Sequence, residues 1–257
     1  LKPEWLIGKI AYNYQQVTNN KPECHIIDYH DEKPIEFVFN KAGVLNSSAM
    51  CNNLVLDMDR NRLIVDSLET IYRKNEEDIE ENPETPKRYA LVVSDRRRHL
   101  EKLYDLMQER EVLKKYKTGF SLGGMKKVIF DDFAKNSDIL LATYQMISEG
   151  FNQPRLNCIC LVTAKSNIVQ TIGRILRKDH VGITPLIVDI NDCAIYSYIP
   201  SMRKRLAFYK SREYPVIHCN ALELDRVLDV EEPQAGGVVD GVPLAPCGEI
   251  DFTQCLL

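Results

Sequence analysis

The chain has 257 residues, 44% hydrophobic and 27% charged, with 12 Gly and 12 Pro. These globular proportions exclude collagen, coiled coil and wholesale disorder. No stretch approaches about 18 residues without a charge or strongly polar interruption, which excludes a membrane-spanning helix. The net charge of −4 is unevenly spread. Residues 75–84 hold six acids and residues 229–257 hold six more, neither stretch with a Lys or Arg, so the other 218 residues carry +8. A basic body suits a polyanionic partner, although scattered solvated Lys and Arg give the same count.

The chain starts at Leu1, with no signal-peptide pattern after it, and reads as a piece of a longer protein. None of the eight cysteines forms a C-x-x-C, and none has a His at zinc-ligand spacing. Cys158 and Cys160 lie in the apolar run NCICLVTA, where cysteine acts as a small hydrophobe. Structural thiols and a reducing compartment follow.

Residues 5–16 read as a helix or as the end of a preceding domain. The stretch CHIIDYHDEKPIEFVFN alternates around a DEKP turn and predicts a hairpin over 24–29 and 35–39. Helices are predicted at 46–57 and 60–74, the second with Leu63, Ile64, Leu68 and Ile71 in one stripe. The acidic stretch 75–87, with Pro83 and Pro86, predicts a solvated linker or loop. Residues 1–88 thus form a junction, hairpin and helices.

From residue 89 strands and helices alternate. Strands are predicted at 89–93, 118–122, 138–143, 158–163 and 184–190, with helices at 96–115, 125–135, 144–148, 167–177 and 196–212. Short apolar runs separated by helices predict a doubly wound, parallel α/β sheet over 89–228, whose ligands bind beyond the carboxyl ends of its strands. Residues 229–257, rich in Gly and Pro and acidic, read as a loop-like tail.

Two segments carry chemistry. In QTIGRILRK (170–178), Gln170, Arg174 and Arg177 fall on one helical face beside Gly173. Two planar guanidinium forks next to a glycine suit a phosphate group, and a solvated basic face is the bland alternative. Upstream, ATYQMISEGFNQP (142–154) starts at a strand end, where Thr143 offers both hydroxyl and backbone N–H, and continues through Gly150 and Asn152. No G-x-x-x-x-G-K-[ST] occurs anywhere, and no magnesium-binding carboxylate motif follows a strand. The five histidines form no metal or triad pattern.

Together these two segments resemble motifs V and VI of the superfamily 2 helicases, written there as AT….EGLDIP and QxxGRxxR. VVSDRRRHLEKL (92–103) resembles motif IV, SLGGMKK (121–127) the Gly-Gly loop between IV and V, and RLAFYKSREY (205–214) the closing helix. The branch is similar to phage UvsW and to the poxvirus-type transcript-release helicases of large cytoplasmic DNA viruses, the African swine fever virus lineage in particular. The resemblance covers 89–214 strongly, 1–75 loosely and 229–257 not at all.

The resemblance implies the RecA-like C-terminal motor domain of an ATP-dependent DNA helicase or translocase. ATP and Mg2+ would be held mainly by an N-terminal RecA-like domain of the same protein. Arg177 would be the arginine finger, worth roughly 10³–10⁵ in rate, and Arg174 its γ-phosphate neighbour. Gln170 and Gly173 would link nucleotide to interface, and Gly150 and Asn152 would lie near the ribose. Asn152 stands where the family has Asp, removing a charge. Ser94, Arg96, Gly123, Gly124 and Thr143 would face the backbone of DNA, or of RNA or an RNA–DNA hybrid, without reading bases.

Ser94 also reads as a helix cap and Gly123-Gly124 as a plain turn. WLIGKIAY near the start resembles the family's junction between motor domains, so this fragment alone would not hydrolyse ATP. A monomer in the cytoplasm (for a viral protein that of the host, with packaging in the virion as the alternative), without membrane contact, completes the expectation. The competing readings are a non-catalytic nucleic-acid-binding or scaffold module and an ordinary nucleotide-binding α/β enzyme. The second wants a Gly-rich loop after the first strand, where SDRRRH stands instead.

Overall fold

The structure is a computed structural model that describes residues 21–30, 37–148, 151, 153–173 and 179–220. Its strands are β1 (Glu23–Tyr29), β2 (Ala90–Ser94), β3 (Thr118–Ser121), β4 (Ile139–Thr143), β5 (Cys158–Leu161), β6 (Leu186–Asp192) and β7 (Val216–Asn220). Its helices are α1 (Ser47–Leu56), α2 (Met58–Glu81), α3 (Arg97–Gln108), α4 (Lys127–Asn136), α5 (Tyr144–Ser148), α6 (Val169–Ile172) and α7 (Ile199–Ser211). The strands form one sheet in the order β3-β4-β2-β5-β6-β1-β7, and every pairing is parallel. The expected doubly wound α/β architecture is present.

Strands buried on both faces need apolar side chains at every position. One face buries Ile27, Ala90, Val92, Leu141, Cys160 and Val188 against α2 and α3. The other buries Ile26, Leu91, Val93, Ala142, Ile159 and Ile187 against α5, α6 and α7. The thiols of Cys158 and Cys160 are core atoms.

Three expectations are corrected. The hairpin over 24–29 and 35–39 does not form, because both edges of β1 are taken: Cys24 pairs with Ile187 of β6 on one side and Val216 of β7 on the other. Phe39 instead makes a single antiparallel bridge to Leu45. The acidic stretch is no loop up to residue 81, since α2 runs on to Glu81. Glutamate is a good helix former, and buried Asn75 secures that turn: its Nδ2 donates to the Pro86 carbonyl at 3.1 Å, and its Oδ1 accepts from the Arg88 N–H at 2.8 Å. Finally, β7 is an unforeseen edge strand. Glu213, with φ 55°, makes the sharp turn from α7 into it.

Because all strands are parallel, their carboxyl ends share one rim, with Ser94 beside Thr143 in the register. Of the expected site residues, Ser94, Arg96, Gly123 and Thr143 lie along this rim.

Candidate nucleic-acid interface

The turns after β2, β3, β4 and β5 enclose a cleft of about 590 Å³ at this rim. Asp95, Gly123, Thr143, Tyr144, Lys165 and Asn167 are among its lining residues. Its floor is fixed by hydrogen bonds. The Asp95 N–H donates to Thr163 Oγ1 at 2.9 Å, and the Tyr144 hydroxyl donates to the Thr163 carbonyl at 3.2 Å. Burial pushes the Tyr144 phenol well above its usual range, so this ring stays neutral. Lys165 stands 5.2 Å from the centre of the Tyr144 ring and pairs with Asp95 at 3.2 Å. That pair is part-exposed and weak, so a phosphate entering the cleft can compete for the ammonium.

The turn that carries Asp95 is held from below. Asn61 Nδ2 donates to the Val55 carbonyl at 2.9 Å, which leaves Asn61 Oδ1 to accept from His99 Nε2 at 2.9 Å. His99 Nδ1 therefore accepts, and the Ser94 hydroxyl donates to it at 3.0 Å while its oxygen accepts the Arg96 N–H at 3.1 Å. The network assigns this neutral tautomer. Burial first, then the positive fields of Arg60 and Lys102, push the His99 pKa down to about 3.

Ser94, expected as a phosphate contact, is fully buried in that network and caps the turn. Arg96 turns away from the cleft. Its Nε donates to Asn52 Oδ1 at 2.8 Å and its Nη2 to Ser48 Oγ at 2.7 Å, tying the turn to α1. Thr143 lines the cleft. Gly123 also lines the cleft, and Gly124 follows it at φ +83°, a left-handed conformation that only glycine adopts without strain. Both are exposed, with open space where a Cβ would sit. The chain then enters α4, whose N-terminus favours anions.

On the nucleotide side, α6 buries Ile168 and Ile172 and ends at exposed Gly173, which has ordinary helical angles. Gln170 belongs to the first turn of α6. Gly150, Asn152, Arg174 and Arg177 lie outside the described residues.

Residues 162–168, the loop between β5 and α6, carry no regular structure but are gripped from both faces of the sheet. On one side Arg60 binds Asp192 through Nε at 2.5 Å and through Nη2 at 3.0 Å, and the same Nη2 donates to the Val162 carbonyl at 2.9 Å. On the other, Arg205 binds Asp189 at 2.7 Å and donates to the Lys165 carbonyl at 3.1 Å. Tyr209 adds a hydroxyl to Asp189 at 2.8 Å. Lys165, Asp95, Tyr144 and both arginines were not singled out from sequence. Lys165 is the one base in TAKSN, the segment between the two chemical motifs, and that was the available signal.

Residues 74–179 match the helicase conserved C-terminal domain. That span carries β2 to β5, the whole cleft and α6. The fold is the RecA-like α/β fold of helicase C-terminal domains. Protein L396 of Acanthamoeba polyphaga mimivirus, named as an ATP-dependent RNA helicase, is 26% identical over 216 residues. That alignment takes in 82% of this chain and 39% of the mimivirus protein, so the chain spans about two fifths of its relative. The crystal structure of T4 UvsW overlays with a TM-score of 0.52 at 16% identity, over 77% of this chain and 42% of UvsW.

Proposed function

We propose that this chain is the second motor domain of an ATP-dependent superfamily 2 helicase or translocase, and that its cleft carries the sugar–phosphate backbone of one strand. The observation that carries the reading is the convergence of Gly123, Thr143 and Lys165 on one cleft at the carboxyl rim, inside the segment that matches the helicase domain. These are hydroxyl, ammonium and backbone N–H donors on a strand end and on the turns that follow neighbouring strands. They grip phosphate without sequence preference and with strong salt dependence.

ATP supplies the phosphoryl transfer that drives the cycle. The donors of the cleft suit phosphate oxygens rather than a metal. Among the described residues no group of three or more His, Cys, Asp or Glu is placed to hold a metal ion. Arg174 and Arg177 would pair with phosphate oxygens at the domain interface, with Gln170, Gly150 and Asn152 positioning the nucleotide and the preceding domain supplying the magnesium ligands. DNA is the substrate that the resemblance to the UvsW-like branch implies; the motifs themselves do not separate DNA from RNA. The mimivirus relative carries the name of an RNA helicase, so both strands belong in the test.

The experiment is nucleic-acid-stimulated ATPase of the full-length parent, with DNA and with RNA, wild type against Arg177→Ala. A loss of two orders of magnitude or more with nucleotide binding retained supports the finger role. Unchanged turnover removes it and favours the scaffold reading.

A further inference from the structure

The same rim continues past the cleft to a feature that the motor reading leaves unused. Beyond β6 the chain makes a short turn, and there the ring of Tyr196 meets that of Phe37 at 5.3 Å between centres, tilted by 43°. Neither ring is needed for the core beneath. Met50, Leu54 and Ile195 form that core, with Val38, Leu45 and Tyr198 packed on it. Val38 points inward, so its neighbours Phe37 and Phe39 point out. Phe37 is 36% exposed, Tyr196 53% and Phe39 54%.

This patch is mechanically joined to the cleft. Tyr198 sits against the Ser47 carbonyl at 3.5 Å, and Arg96 binds Ser48 and Asn52 on the same helix. The neighbours of Arg96, Asp95 and Arg97, line the cleft. In the sheet only β5 separates β2, which leads into the cleft turn, from β6, which leads to Tyr196.

We infer that Phe37 and Tyr196 form a stacking platform for unpaired bases of the strand whose backbone lies in the cleft. The inference rests on the nucleic-acid reading of the cleft. Two tilted, half-exposed rings present open π-faces that any base can cover, which gives affinity without sequence readout. A protein partner is the competing occupant. Its link through α1 to the turn that lines the phosphate-suited cleft favours the nucleic acid.

The test uses the 257-residue chain and two fluorescein-labelled probes followed by anisotropy across a salt series. One is oligothymidylate of about 16 nucleotides, and the other is the same backbone with abasic sites throughout. Wild type should bind the base-bearing probe about tenfold more tightly. Phe37→Ala/Tyr196→Ala and Phe37→Leu/Tyr196→Leu should bind both probes alike, with an unchanged salt slope. The leucine pair keeps the apolar bulk and so separates stacking from folding. Lys165→Ala should weaken both probes together. If both double variants keep the wild-type preference for bases, the platform is refuted and the patch is left to a protein partner. If wild type binds the two probes equally, stacking alone falls. If it binds neither, the nucleic-acid reading falls, and this inference with it.

Discussion

Asp189 and Asp192 stand three positions apart on β6 and leave the sheet through opposite faces, each to a buried arginine. One strand thereby anchors Arg60 in one helical layer and Arg205 in the other, and both arginines reach on to the loop that shapes the cleft. Burial raises the Asp189 carboxyl pKa, against the pull of Arg205 and Tyr209.

Breaking such a pair leaves an uncompensated charge inside the protein. Arg205→Met should therefore cost about 3–5 kcal/mol in urea unfolding. Adding Asp189→Asn should return much of that loss, because the amide oxygen still accepts from Tyr209. A double variant as unstable as the single one would show that the arginine acts by packing alone.

His99 predicts an acid sensitivity. Folded, it stays neutral down to about pH 3; unfolded, it takes a proton near its ordinary 6.5. Below pH 6.5 the unfolded state binds the extra proton, so this group lowers stability as pH falls, by about 1.4 kcal/mol per unit, and has no effect above it. His99→Gln should flatten the stability profile between pH 6 and pH 4, measured by urea titration at each pH. A slope identical to wild type would refute the assignment.

Lys165→Ala tests the cleft through salt. Removing one phosphate contact should reduce the slope of log affinity against log salt for single strands by about 0.7. Replacing Arg62, which pairs with Asp59 on an exposed face, should leave the slope unchanged.

Two glycines separate crowding from backbone strain. A Cβ on Gly119 would collide with Ser137 Oγ and stand 2.9 Å from Phe133 Cβ, so Gly119→Ala should cost about 1–3 kcal/mol. Gly124 has open space but φ +83°, so Gly124→Ala should cost about 1–2 kcal/mol through strain alone. Gly124→Asn should cost less, because Asn tolerates that conformation. Thermal melts of the three variants rank the effects.

The sheet was largely legible because its central strands are continuous apolar runs such as ALVV and ILLA, and only burial on both faces calls for such runs. What escaped depended on distant partners. The edge strand β7 carries His218 and Asn220 and looks like loop until β1 pairs with it. No local pattern marks Arg60 or Arg205 as buried, since the partner of Arg60 lies 132 positions away. At the site, strand-end residues were legible as a group, but their directions were not. Thr143 and Gly123 face the cleft, whereas Ser94 is turned inward by His99 and Arg96 is drawn aside by α1, contacts that no local pattern encodes.

The strand order has a consequence for biogenesis. β1 is made before every other described strand of the sheet, yet both of its neighbours, β6 and β7, are made last among them. The half-sheet β3-β4-β2-β5 is complete once Leu161 has been translated, so it can form first. Meanwhile Cys24, Ile26 and Ile27, destined for full burial, must wait unpaired while the ribosome travels from Tyr29 to Leu186. At ordinary elongation speeds that interval is roughly 8–30 s. A sticky, parallel-pairing segment is left exposed for that long, so this is a chain whose yield should depend on chaperone capacity and on how fast its second half is translated.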